Sequence, residues 1–162
     1  MAILSTRKEM RKFDTGAVRD SVEGKGRCDL LPLGIIAILR NDPIYKDIDN
    51  YIYSGDEDCL AAALDKFVIL RYQGCWETAL LEVAKRYEDG ARKYSDRNWE
   101  KGMGLHWYID SGVRHYIKFK RGDKDEPHDR AFVWNLLGAL FTQQKYPELC
   151  DLPFAKKETK DT

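Results

Sequence analysis

Apolar residues recur along this chain at helical rather than strand spacing, and no segment sustains the period-2 alternation of a half-buried strand. The run LLPLGIIAILR follows Asp29, a good N-cap, carries Pro32 in its first turn and ends near Arg40, which predicts a helix over about 30–40. Asn41, Asp42 and Pro43 stop it. The stretch 41–58 mixes aromatic residues with acids and commits to no periodicity, so it reads as an irregular insert. Alanine and leucine content then predicts a helix over about 57–70. Three longer helices are expected over about 78–94, 105–121 and 129–145, separated by SDRNWEKGMG and RGDKDEPH. The expected architecture is all-α, a bundle of about four or five helices in one domain over 29–150. An arm or loop over 1–28 precedes it, and a charged, fraying tail over 151–162 follows.

Certain polar residues fall where the pattern wants apolar ones. On the helix after Thr78, Glu77, Leu81, Ala84, Glu88 and Ala91 form one line, which places Glu88 inside the apolar arc. A carboxylate there is either a boundary residue paired with a neighbouring cation or an inward ligand for a divalent ion. The last helix is apolar nearly all round except for a strip of His128, Ala131, Asn135, Gly138 and Thr142. Small and hydrogen-bonding residues so stacked imply close approach of another helix or of a ligand, and our expectation is that Asn135 faces a ligand together with His128. Asp110 is spaced i, i+4 from Arg114 and invites a salt bridge.

Composition narrows the function classes. Across 162 residues the 27 Lys and Arg balance the 27 Asp and Glu, so duplex nucleic acid and anionic membrane surfaces lose their electrostatic support. A local basic cluster (Arg114, His115, Lys118, Lys120 and Arg121) suits a polyphosphate better, though a solvated helix face is the plainer reading. GKGR at 24–27 could add backbone N–H groups and two cations. The cysteines, Cys28, Cys59, Cys75 and Cys150, are too widely spaced for a structural zinc. With no export signal at the start, the expectation is reduced thiols in a cytoplasm.

The ordered segments DSVEGKGRCDLLP, YEDGARKYSDRNWEKG, YIDSGVRHYIKFKRGDKDEPHD and WNLLGAL resemble the phage dATP/dGTP diphosphohydrolase N-terminal-domain family, related to the MazG-like all-α nucleoside triphosphate pyrophosphohydrolases. The resemblance covers about 20–40 and 77–142 and leaves out the insert. It implies a homo-oligomer, dimer or tetramer, that binds a purine deoxynucleoside triphosphate with Mg2+ or Mn2+ and releases pyrophosphate. Carried onto this chain, it implies Lys25, Arg27, Lys93, Arg97, Asn98, Trp99, Arg114, His115 and Asn135 as substrate-binding residues. Glu88, Asp110 and His128 would be catalytic, and Glu88, Asp110 and Asp129 would hold the metal. If phage-encoded, the protein would act in the host cytoplasm.

The chain departs from the MazG-like pattern in having no E-x-x-E, and the E-x-x-D within its family-like segments, Glu126–Asp129, sits at a helix start where acids are favoured without a metal. Two other readings therefore stand beside hydrolysis. One is a protein that binds a nucleotide or cyclic nucleotide without cutting it, a phage sponge for a host immune signal. The other is a structural or protein-binding module on an inherited scaffold.

Overall fold

The computed structural model describes residues 10–20 and 23–156. A two-stranded antiparallel hairpin, β1 (Met10–Lys12) and β2 (Val18–Asp20), comes first, with Met10 opposite Asp20. A 3-10 turn at Cys28–Leu30 leads into α1 (Leu33–Arg40), α2 (Pro43–Ser54), α3 (Glu57–Tyr72) and α4 (Trp76–Lys93). After a second 3-10 turn, Asn98–Lys101, come α5 (Leu105–Arg121), α6 (His128–Lys145) and the single turn α7 (Pro153–Lys156). The all-α expectation holds. The helices outnumber the four or five anticipated because the segment expected to be an irregular insert is itself a helix, α2, and the start of the expected tail forms the single turn α7.

That correction has a local cause. Asp42 accepts a hydrogen bond from Ile44 N at 3.0 Å, Pro43 takes the first helical position, and Gly55 ends α2 at φ 69°. Ile44, Tyr45, Ile48, Tyr51 and Ile52, the buried side of α2, recur at helical spacing, and the acids between them lie at its borders, Asp47 pairing with Lys66 of α3 and Asp49 lying against Gly34 of α1. Two termini also differ from expectation. Asp29 does not cap α1, which starts at Leu33. Its carboxylate instead receives Arg27 Nε and Nη2 at 2.8 and 2.7 Å. In the arm over 1–28, residues 10–20 form the hairpin, while residues 1–9, 21 and 22 lie outside the described residues. The first turn of the expected fraying tail is anchored: Leu152 is buried, Asp151 accepts from His106 N at 2.9 Å, and the Phe154 ring meets Tyr51 edge-on at 5.8 Å. Residues 157–162 lie outside the described residues.

The core is centred on Phe67 of α3, whose ring lies 4.5 Å from Phe132, 5.2 Å from Phe119 and 6.1 Å from Tyr116. α5 and α6 pack against each other most closely. A Cβ on Gly112 would lie 2.9 Å from Leu136 Cδ1, and one on Gly138 would lie 2.5 Å from the Tyr108 ring. The strip on α6 is therefore a helix-packing surface, with Gly138 against Tyr108 and Thr142 Oγ1 3.3 Å from the Tyr108 hydroxyl.

Asp42 serves two elements at once, since its Oδ2 also accepts from the buried Tyr116 hydroxyl at 2.6 Å and so joins α5 to the start of α2. Asp42→Ala should lower stability by about 2–4 kcal/mol, the sum of a lost cap and an unpartnered buried hydroxyl. Urea denaturation should show a lower midpoint with unchanged slope. A loss below about 0.5 kcal/mol would mean that neither bond matters.

Candidate functional site

α4, α5, the 125–126 turn and the hairpin enclose a cavity of about 520 Å³. α4 contributes Arg86, Tyr87, Gly90, Lys93 and Tyr94 from the face that continues its buried residues Ala79 and Val83. α5 contributes Ser111, Arg114, His115 and Lys118, one stripe at spacings of three and four. The hairpin and the loop after it close the opposite side with Arg11, Arg19, Asp20 and Lys25. Trp99, Trp134 and Tyr87 supply aromatic walls, with Tyr87 5.5 Å from Trp99 and 6.1 Å from Trp134.

Among the described residues, eight lysines and arginines line this space against four carboxylates, on a chain with no net charge. Such an excess of cations is costly without an anion, because burial strengthens their mutual repulsion. Burial pushes the Arg19 guanidinium down to about 10, helped by Arg86, and Arg19 lies 4.4 Å over the Trp134 ring. Nη1 of Arg11, Nη1 of Arg19 and Nε of Arg114 are buried with no hydrogen-bond partner among the described residues. His115 is held far below the usual imidazole range, first by burial and then by Arg86, His128, Arg19 and Lys118, so it is neutral. Donors without acceptors in a polar cavity describe a receptor for an oxyanion.

Residues 67–151, just over half of the chain, match the family described as dATP/dGTP diphosphohydrolase, N-terminal. The chain belongs to this family. The matched residues hold the α4, α5 and α6 side of the cavity, whereas the hairpin side, including the resemblance over 20–40, lies outside them. No curated protein and no solved structure matches the chain.

Of the residues singled out in the sequence, Lys25, Lys93, Arg97, Asn98, Trp99, Arg114 and His115 line the cavity. Several have other bonds as well. Asn98 directs its amide at Val18, Oδ1 accepting from N and Nδ2 donating to O, both at 3.3 Å, and so clamps β2 in place. Arg97 is exposed and pairs with Glu100, and Lys93 reaches Asp20 at 2.7 Å. Arg114 Nη2 donates to Gly26 O at 2.6 Å. Arg27 lies outside the cavity, paired with Asp29.

Three placements correct the expectations. Glu88 is not inward. Its side chain is 58% exposed and pairs with Arg92 at 2.6 Å, because α4 turns the line of Leu81, Ala84 and Glu88 to solvent. Asp110 is fully buried and makes the expected salt bridge to Arg114 instead of opening to a metal: its oxygens accept from Cys28 N and from Arg114 Nη2, all at 2.7 Å. It ties the 26–28 loop to α5. Asp129 accepts from Arg71 Nε at 2.9 Å, on the side of α6 toward α3. The three acids expected to share a metal are thus separate, and each is matched by an arginine. Asn135 does not face the cavity with His128 either: it is wholly buried beside Gly112 and donates from Nδ2 to Ala131 O at 2.7 Å. His128 is buried behind His115, their Nδ1 atoms 2.9 Å apart, with Asp125 Oδ1 2.7 Å from His128 Nε2.

Arg11, Arg19, Arg86, Asp125 and Glu126 were missed. Arg86 was within reach, since it shares its helix face with Val83, Gly90 and Lys93. The hairpin arginines carried no periodic signal, because three-residue strands are too short to show one.

Arg19→Met removes a desolvated charge that has no ion pair among the described residues, while keeping the aliphatic cover over Trp134. The ligand-free protein should melt at the same or a higher temperature, and affinity for inorganic tripolyphosphate should fall at least about tenfold, or 1.4 kcal/mol. Calorimetric titration checks this. A lower melting temperature with unchanged tripolyphosphate affinity would make Arg19 a structural residue.

Proposed function

We propose that the cavity binds a purine deoxynucleoside triphosphate, dATP or dGTP, and that the protein hydrolyses it to the monophosphate and diphosphate. The observation that carries this reading is the excess of cations and buried, unpartnered guanidinium nitrogens in one cavity of a neutral chain. The volume suits a ligand of nucleotide size. Arg19, Arg86, Arg114 and Lys118 would grip the phosphate oxygens, and the Tyr87, Trp99 and Trp134 rings offer stacking surfaces for the purine. The family to which the chain belongs gives the class of reaction and of substrate.

A divalent ion, Mg2+ or Mn2+, is part of this reading, since it would neutralise phosphate charge and lower the pKa of an attacking water. The ligand set expected for it, Glu88, Asp110 and Asp129, does not fit, because these carboxylates lie apart and each already has an arginine. We assign no step to them. Self-association as a dimer or tetramer is supported by exposed Ile35, Ile38 and Leu39 on α1 and by Leu80 and Leu81 on α4. A cytoplasmic site of action completes the proposal; no helix among the described residues is long and apolar enough to cross a membrane.

A second reading, binding of a nucleotide or cyclic nucleotide without cleavage, is favoured by the scattering of those three carboxylates. One experiment separates the two. Incubation with dATP or dGTP and Mn2+ or Mg2+ should release diphosphate and leave the deoxynucleoside monophosphate. Recovery of intact nucleotide from a tight complex would move the assignment to sequestration. A melting temperature unmoved by dATP, dGTP or a cyclic dinucleotide would overturn both readings, since saturation at about 100 times Kd adds about 2.7 kcal/mol.

A further inference from the structure

We propose that His115, His128 and Glu126 form a binding site for a first-row transition metal ion in the wall of the cavity. The three atoms that would hold it already converge: His115 Nδ1 and His128 Nδ1 are 2.9 Å apart, and Glu126 Oε1 lies 3.3 Å from the first and 3.7 Å from the second. Adjacent ligands around an octahedral ion, each about 2.1 Å from it, are about 3.0 Å apart. The triangle therefore needs its longest edge to shorten by about 0.7 Å, and the others by less, to become one face of an octahedron, with the opposite face left for water or phosphate oxygens.

The surroundings are those of metal-binding histidines. Asp125 Oδ1 sits 2.7 Å from His128 Nε2, so that nitrogen carries the proton and the Nδ1 lone pair points at His115. Two imidazole nitrogens 2.9 Å apart cannot both present lone pairs to each other; a proton or a cation must stand between them or beside them. His115, Glu126 and Asp125 all reach the cavity, so an ion here would have open positions toward the bound ligand. Asp123, which also lies near His128 and Asp125, is instead engaged by Arg121 at 2.7 Å.

The donor set decides the class of ion. Two imidazoles and one carboxylate suit Mn2+, Fe2+, Co2+, Ni2+ or Zn2+, whereas Mg2+ takes oxygen ligands. This site therefore departs from the all-carboxylate set, Glu88, Asp110 and Asp129, that the resemblance implied. Its use in holding phosphate oxygens rests on the proposed function; its existence does not.

The test uses the full chain stripped of metal with EDTA, desalted and titrated with Co2+ by calorimetry in the absence of nucleotide, with the visible spectrum recorded at each addition. One equivalent should bind per chain, with a d–d band shifted from that of the aqua ion, and millimolar Mg2+ should not displace it. Glu126→Gln and His115→Ala should each weaken Co2+ at least tenfold. Asp125→Asn should weaken it about 10- to 100-fold through the orientation of His128. Circular dichroism and melting of each variant guard against misfolding, and Glu126, 39% exposed, is the substitution the fold tolerates most easily. An unshifted Co2+ spectrum, or affinity undiminished in Glu126→Gln, overturns the site. A melting shift with dATP in EDTA, measured on the same samples, reports on the nucleotide pocket separately.

Discussion

The close approach of α5 and α6 is the constraint on which the rest of the molecule depends. Gly112 and Gly138 let the two helices come nearer than side chains with a Cβ would permit, with Leu136 filling the space over one and Tyr108 the space over the other. That spacing buries Asn135 and Thr142 between the helices and brings His115 against His128. It also fixes the stripe of Ser111, Arg114, His115 and Lys118 that forms one wall of the cavity. A larger side chain at either glycine would push apart the two helices that hold the histidines.

Charge is sorted by burial. Asp110 and Arg114 neutralise each other inside α5, and because Arg114 also reaches Gly26 while Asp110 holds Cys28, the pair fixes a loop rather than merely stabilising a helix. A buried pair of this kind contributes little net stability, but losing one partner would leave the other uncompensated. Of the remaining cations of the cavity, Lys93 has Asp20 and Arg97 has Glu100, while Nη1 of Arg11 and Nη1 of Arg19 are without a partner among the described residues. An otherwise neutral chain thus concentrates its positive potential in one place, where low dielectric makes it act most strongly on an anion.

What could be read in the sequence follows how many residues carry each signal. α5, whose apolar stripe runs over seventeen residues, matches its expected bounds, and α6 begins one residue earlier than expected. α2 was misread although Ile44, Tyr45, Ile48, Tyr51 and Ile52 have helical spacing, because tyrosines among acids were weighed as irregular instead of being placed on a wheel. Glu88 was misread for the opposite reason. Periodicity gives a helix its faces but not which face meets the body, and α4 turns Leu80 and Leu81 to solvent while burying Ala79 and Val83. The family-like residues Lys93, Asn98, Trp99, Arg114 and His115 do gather in one cavity, whereas Asp110 and Asn135 are occupied by the fold. Arg11 and Arg19 could not be placed from sequence, since their position depends on a short hairpin docked by residues far along the chain, Asn98 and Gly102.

That hairpin is held to the rest of the fold by Thr15 Oγ1 to Gly102 O at 2.6 Å, the Asn98 amide to Val18, Lys93 to Asp20 at 2.7 Å, and Arg11 over Trp107 and Arg19 over Trp134 at 4.6 and 4.4 Å. Its release would expose far less apolar surface than unfolding of the bundle, so its opening should cost less free energy than global unfolding. The two arginines it carries leave the cavity whenever it opens. Amide hydrogens of Val18 and its neighbours would then exchange on a faster clock than those of α5, and an anion that bridges the two sides would slow the first clock toward the second.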